Sequence, residues 1–511
     1  RKLAFSRRQA RSYSATAHWI AALLVLDDGT RLVLYQLRDD ARRGAAQRWL
    51  SVIDPRGERY DYPRFACEPT RRWRSVRTFR EYDTGWKLRV PEAGIELCID
   101  GVLDDQEIVG VIATPTAWAG RAEVSGRMHG APVHGVGFVE LGEPQRVDSL
   151  DGFFSAVAES VGESVRRIYP LAPRFEQVRD LVGGEERESL MEGIDLGQFA
   201  RAVIAPVREI VDRGGKSWRS YGTLACIDIV GGDSREFVQW LAIPEFMHVG
   251  SLIVDDVEDR SEIRRGGPAC HLKYGEAVAI NAGTAAYFMW QKLLECSDKL
   301  SDRERLRIYG LYFDAMRAGH AGQAIDLDGC GDLMRAAVET GEGKALEGRI
   351  LAIHRLKTGV PASALAQMGA VAGGGSDEQI AALGRFFEHL GIAFQIIDDV
   401  LNLRGFKGNL KALGEDIALG KVTLPVAKAI PRLALRDREW LWNTLQQKPS
   451  DPAVIAACIR MLEECGAVSA CIDQAAELVE RGWTRLDRVV DGSFGKVMLR
   501  AFGWYVLERH Y

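Results

Sequence analysis

Across 511 residues there is no CxxC pair and no dense run of cysteine; the nine cysteines, at 67, 98, 226, 270, 296, 330, 458, 465 and 471, are scattered. That spacing speaks against a zinc site and a disulfide scaffold and points to a reducing, cytoplasmic compartment. Long apolar runs are scarce as well. The stretch from His18 to Leu26 breaks well short of the ~18 residues a membrane-spanning helix needs, so no transmembrane segment is expected. Positive charge is not in excess: 66 Lys and Arg stand against 71 Asp and Glu, which excludes a dedicated nucleic-acid binder. The balance is uneven along the chain, with 18 basic and 8 acidic residues over positions 1–80. Low-complexity tracts and short-period repeats are missing. What remains, 47% hydrophobic and 27% charged residues, is a globular composition, and the length suggests two to four domains. The sequence opens on Arg1 rather than Met, which is compatible with a start inside a longer chain.

Two regimes of periodicity follow one another. Short alternating runs fill residues 15 to 141, among them Trp19 to Leu26, Arg31 to Leu37, Gly94 to Ile99, Glu107 to Ala113, Arg121 to Gly126 and Pro132 to Leu141. Asp27-Asp28-Gly29-Thr30 is a hairpin turn signature, and regularly spaced strands predict an antiparallel sandwich or barrel over 1–145. Beyond Pro144 the apolar residues Phe154, Val157, Val161, Val165 and Ile168 fall three and four apart, a helical spacing. Residues 146–185 therefore read as a linker with one amphipathic helix, closed by Pro170, Pro173 and Gly183-Gly184. From 186 to 511 nearly every segment reads as a helix. The chain as a whole is a multidomain α and β protein.

Two acidic clusters carry the chemistry. Asp255-Asp256-Val257-Glu258-Asp259 follows the apolar run Phe246 to Val254, and on a helix Asp255 and Asp259 stand one turn apart. Asp398-Asp399 lies inside an otherwise apolar helix, Gly391 to Asn402, where two adjacent carboxylates are costly without a compensating cation. Hard divalent ions suit oxygen-only ligands, and Mg²⁺ takes a carboxylate or two while bridging to substrate phosphates. Gly214-Gly215-Lys216-Ser217-Trp218-Arg219, Arg264-Arg265-Gly266-Gly267, Lys357-Thr358, Lys411 and Lys421 supply the cations for an anionic ligand. Read singly, an acidic cluster is also compatible with a solvated face, each basic residue with ordinary surface, and His248 with a satisfied core histidine.

In order and spacing, these residues resemble the trans-isoprenyl diphosphate synthases, over about 190 to 511. The resemblance implies an all-α isoprenoid synthase bundle whose first aspartate-rich motif is Asp255, Asp256 and Asp259. The second is Phe394-Gln395 with Asp398 and Asp399, and all five aspartates become ligands of two or three Mg²⁺ ions. It places isopentenyl diphosphate on Lys216, Arg219, His248 and Arg265, and an allylic prenyl diphosphate on Arg264, Lys357, Lys411 and Lys421. Lys357, Thr358 and Gln395 join the aspartates as catalytic residues. Gly322-Gln323, Asp326 and Gly414-Glu415-Asp416 fit the same pattern, whereas Asn402 stands where many members carry a third aspartate. The implied reaction is head-to-tail prenyl transfer, and the implied assembly is a homodimer or higher oligomer. Met247, Gly250 and Ser251, ahead of Asp255, correspond to length-determining positions. Small Gly250 and Ser251, with Met247 and Phe246 as a floor, point to C20 geranylgeranyl diphosphate, with C25 next.

The β-rich region resembles, more weakly, the carotenoid 1,2-hydratase (hydroxyneurosporene synthase-like) family. The matching residues are Asp28-Gly29-Thr30, Leu34 to Arg38, Asp105-Gln106-Glu107, Trp118-Ala119-Gly120 and Gly135 to Leu141. That implies a lipocalin-like barrel, with Asp105, Glu107 and His134 as candidate proton donors. Three readings of the whole chain follow: a prenyl synthase with an isoprenoid-binding or scaffolding appendage, a bifunctional enzyme that also cyclises or hydrates its product, or an inactive regulatory subunit. The intact aspartates disfavour the last.

Overall fold

Gly29 takes a left-handed φ of 87°, the Thr30 N–H donates to Asp28 Oδ1 at 2.8 Å, and a hairpin forms between β1 (Ala17–Leu26) and β2 (Arg31–Asp39). The structure is a computed structural model that describes residues 17–39, 44–110, 116–142, 150–183, 189–295, 297–405 and 413–508. It divides into two units, Arg1–Ala156 and Val157–Tyr511.

In the first unit the sheet continues through β3 (Gly44–Ile53), β4 (Arg59–Tyr62), β5 (Ala66–Arg74), β6 (Glu81–Val90), β7 (Ile95–Gly101), β8 (Glu107–Ile108), β9 (Ala117–Met128) and β10 (Ala131–Gly142). The ladders are antiparallel and run β4-β3-β2-β1-β10-β9-β7-β6-β5, with β8 added on β9. Residues 63–65 alone connect the two edge strands, a reach of at most about 14 Å, so the sheet must curl until its edges approach. No ladder joins β4 to β5 among the described residues, and the barrel expected from strand spacing is instead a curled sheet left open at that seam. Its concave side is filled by alternate residues, including Leu24, Leu32, Leu50, Trp86, Leu88, Leu97, Ile99, Trp118 and Val139.

The second unit is helical. Its main elements are α1 (Leu150–Ile168), α2 (Ala205–Asp212), α3 (Trp218–Ile229), α4 (Ala242–Glu258), α5 (Glu276–Ala286), α6 (Asp302–Asp328), α7 (Lys344–His354), α8 (Val360–Ala372), α9 (Asp377–Arg404), α10 (Ala467–Leu486) and α11 (Phe494–Glu508). Ser301 and Ser376 start α6 and α9 with capping boxes to Glu304 and Gln379. Core contacts run α4 to α5, α3 to α8, α6 to α8, α8 to α9 and α9 to α10. The segments Ser234–Glu258 and Asp377–Arg404 are long and apolar enough to cross a membrane, although none was expected from the sequence. Two thirds of the most apolar stretch in each is buried, as in the core helices of a folded domain.

The amphipathic helix expected within 146–185 exists as α1. From Val157 onward it belongs to the helical unit rather than to a linker. Val157, Val161 and Val165 are buried, Tyr169 packs edge-on against Phe246 with ring centroids 4.9 Å apart, and Arg208 donates to the Tyr169 carbonyl at 2.6 Å. Phe246 is thereby a core residue held by Tyr169.

Candidate active site

The first acidic cluster ends α4, and its aspartates have different surroundings. Asp256 is fully buried and gripped by the Arg264 guanidinium, whose Nε reaches its two oxygens at 2.9 and 3.1 Å while Nη2 closes the fork. Burial pushes the Asp256 carboxyl up, with Arg264 opposing. Asp255 accepts from Gln323 Nε2 at 2.9 Å and lies 3.7 Å from Lys357 Nζ, which itself reaches Asp326 at 2.7 Å. Asp259 accepts from Lys421 Nζ at 2.9 Å.

On α9 the same division recurs. Asp399 is 8% exposed, accepts the Leu424 N–H at 3.0 Å and lies 3.6 Å from His354 Nε2. Burial, with the neighbouring Asp416 charge, raises it well above the usual carboxylate range. Asn402 is a tether: its side-chain oxygen accepts the Asp416 N–H at 3.2 Å and its carbonyl the Gly414 N–H at 2.8 Å. Those two bonds fasten the segment from which Lys421 reaches Asp259, linking α9 to the end of α4.

Lys357 and Thr358 sit in a π-helical turn, Arg355–Gly359, between α7 and α8, an irregularity frequent at functional sites. Glycines let the turn fit. A Cβ on Gly322 would stand 2.8 Å from the Lys357 nitrogen, and one on Gly391 would stand 2.9 Å from Gly359 Cα. The second approach brings Thr358 Oγ1 to donate to Gln395 Oε1 at 3.2 Å.

The basic side is built from the loop before α3 and the hairpin β11 (Ile263–Arg264) and β12 (Gly267–Pro268). Arg213 donates to the carbonyls of Arg264 and Pro268 at 2.8 and 2.9 Å and so pins the hairpin. Arg219 lies over the Trp218 ring, 4.4 Å from its centroid. His248 is half-buried, and desolvation with the charges of Arg219, Arg265 and Arg264 holds it neutral, well below the ordinary imidazole range. Lys411 falls outside the described residues.

Several of the expected site residues have surroundings that the sequence did not foretell. Asp256 and Asp399 are bonded to Arg264 and to the Leu424 amide inside the protein, an internal role that the resemblance did not assign to them. Gly250 does not open a tail channel: a Cβ there would stand 2.5 Å from the Gly283 carbonyl, and the glycine is what lets α4 and α5 cross closely. Ser251 is exposed with its hydroxyl bonded to the His248 carbonyl at 2.8 Å, while Met247 is buried. Phe246 packs on Tyr169 and forms no floor of its own. In the other unit Glu107 accepts from Ser75, Thr78 and Tyr82 hydroxyls at 2.5, 2.5 and 2.8 Å, which occupies its oxygens. His134 pairs seven residues along β9 from the Trp118 that pairs Glu107, roughly 23 Å away, so the two do not form one site.

The polyprenyl synthetase family model matches residues 201–462, and an AttH-like model matches 5–143. The chain belongs to the polyprenyl synthetase family. The synthetase is 33% identical over 304 residues to a short chain isoprenyl diphosphate synthase of Methanothermobacter thermautotrophicus, covering 59% of this chain and 89% of that one. It is 32% identical over 307 residues to a geranylgeranyl diphosphate synthase of Methanosarcina mazei, covering 60% and 89%. Its fold matches the geranylgeranyl pyrophosphate synthase of Corynebacterium glutamicum, solved with isoprenyl diphosphate and magnesium, at a TM-score of 0.56 and 24% identity over 71% of this chain and 99% of that one. As a member of the family the synthetase is a prenyltransferase of isoprenoid biosynthesis, and the AttH-like match agrees with the weaker resemblance of its amino-terminal region.

The synthetase's donor set fits a hard cation. Asp255 and Asp259 offer carboxylate oxygens one helical turn apart, two lysine ammonium groups are drawn to them, and the neighbouring Gln323 Oε1 is buried without a hydrogen-bond partner among the described residues. Sequence reading missed Glu245, Arg213 and His354, each a lone polar residue whose partner lies far along the chain.

Proposed function

We propose that the helical unit catalyses Mg²⁺-dependent head-to-tail prenyl transfer from isopentenyl diphosphate to an allylic diphosphate, and that its product is geranylgeranyl diphosphate (C20). The observation that carries this reading is the set of carboxylates in which Lys357 bridges Asp255 to Asp326 and Lys421 meets Asp259, with Asn402, three residues after Asp399, tethering the Lys421 segment. Asp255, Asp259 and Asp398 are the residues that would hold two or three ions; bound Mg²⁺ supplies Lewis-acid charge to the leaving diphosphate oxygens. Lys357, Lys421 and Arg264, the last oriented by Asp256, bind the allylic diphosphate. Thr358 and Gln395 turn oxygen dipoles toward the positive charge that develops as the allylic C–O bond breaks. The isopentenyl double bond then forms the new C–C bond, and the proton it loses leaves with the diphosphate.

Chain length is set, in this reading, by Tyr287. Its buried ring stands 3.0 Å from where a Gly250 Cβ would lie and edge-on to His320 at 5.8 Å, and on this reading it is the block that the growing tail meets. Mass spectrometry after phosphatase treatment tests it: C20 from the parent chain, and longer products from Tyr287→Ala. A C15 parent product, or an unchanged distribution in the variant, contradicts it.

The AttH-like unit is read as a scaffold rather than a second catalyst, because core side chains fill its concave side and three hydroxyls hold Glu107. Exposed Ile280 and Phe288, with Leu306 and Phe313 on α6, are the surface on which a homodimer would form.

A further inference from the structure

The two loops assigned above to isopentenyl diphosphate both contain a strained residue. Ser217, which precedes α3, and Arg265, at the tip of the β11–β12 hairpin, take φ of 46° and 50°, a region that side chains other than glycine rarely occupy. One carboxylate ties down both. Glu245, in the first turn of α4 and 3% exposed, accepts from Arg265 Nη1 and Nη2 at 3.0 Å each and from Ser217 Oγ at 3.2 Å. Arg265 Nη1 also donates to the Ile210 carbonyl at 3.1 Å. The guanidinium is packed against the loop as well, since a Cβ on Gly215 would stand 2.9 Å from Arg265 Nη2.

These bonds use one edge of the guanidinium and leave Nε–H and one Nη2–H to meet an anion. Glu245 also places a negative charge next to Arg265, which offsets the repulsion within the cationic group that includes Arg219 and Arg264. Its position near the amino terminus of α4 favours that charge.

We propose that Glu245 is a positioning residue for isopentenyl diphosphate, holding the Gly214–Ser217 loop and Arg265 in one anion-binding geometry. The inference rests on the prenyl-transfer reading. It is tested by steady-state kinetics of the full chain with Mg²⁺, each substrate varied at saturation of the other. Glu245→Gln keeps the shape and loses the charge. It should raise KM for isopentenyl diphosphate by about tenfold and leave KM for the allylic substrate within about twofold. Combined with Arg265→Lys, it should add little further, because both changes act on one contact. Should Glu245→Gln fail to fold, Ser217→Ala decides, with about a threefold rise in the same KM expected. Turnover with that KM unmoved, or fully additive effects in the double variant, overturns the positioning role alone. A parent chain without turnover overturns the functional reading and this inference with it.

Discussion

Asp255 and Asp256 are adjacent in sequence, yet one lies between Gln323 and Lys357 at the site and the other is sealed against Arg264. Substitution should separate them. Asp255→Ala is expected to cost several powers of ten in rate, each about 1.4 kcal/mol of barrier, with stability within about 1 kcal/mol of the parent. Asp256→Ala removes the buried partner of Arg264 and leaves that guanidinium only Asp255, 3.9 Å away, so it should lower stability by about 1–3 kcal/mol, more than Asp255→Ala does. Turnover assays beside chemical denaturation check both, and equal denaturation midpoints would contradict the assignment. His354 gives a pH signature. Burial pushes its imidazole down to about 4 from 6.5, with Asp326 opposing and Lys357 reinforcing. Between those values the unfolded chain binds the extra proton, so this contribution is present above 6.5 and lost as pH falls toward 4. His354→Gln should flatten the fall of Tm across that window; an unchanged slope in calorimetry would contradict the burial argument.

At the scale of elements, the division of the chain decides where it can be cut. A boundary at 185, suggested by Gly183-Gly184, would strip Val157, Val161, Val165 and Tyr169 from the helical unit. Each buried side chain of that size contributes about 1.5–3 kcal/mol. A chain beginning at Leu150 should therefore melt cooperatively and keep prenyl transfer, whereas one beginning at 186 should lose several kcal/mol. Equal thermal melts for the two would show that α1 is dispensable. The helices were legible because their apolar residues recur at three and four, and the acidic motifs stood out against apolar runs. β5 was not, since Pro69 and a run of arginines obscure its alternation and the ladder to β6 shifts register at Pro69. Glu245 and His354 were hidden for another reason: a single polar residue in an apolar helix has no periodic signature, and only long-range packing reveals what it holds. The role of Asn402 was likewise invisible, because its partners Gly414 and Asp416 lie beyond the end of its own helix.

For the molecule as a whole, family membership establishes a prenyltransferase, and the arrangement of carboxylates, lysines and arginines is the basis for assigning substrates, metal and direction of transfer. The strongest test is incubation of the full chain with isopentenyl and dimethylallyl diphosphates, with Mg²⁺ and with excess chelator, followed by mass spectrometry of the intact diphosphates. The account predicts linear prenyl diphosphates growing in C5 steps to C20 when Mg²⁺ is present and none with chelator or with Asp255→Ala. Elongation that persists in excess chelator and in Asp255→Ala, or no elongation by a folded parent chain with Mg²⁺, would contradict it.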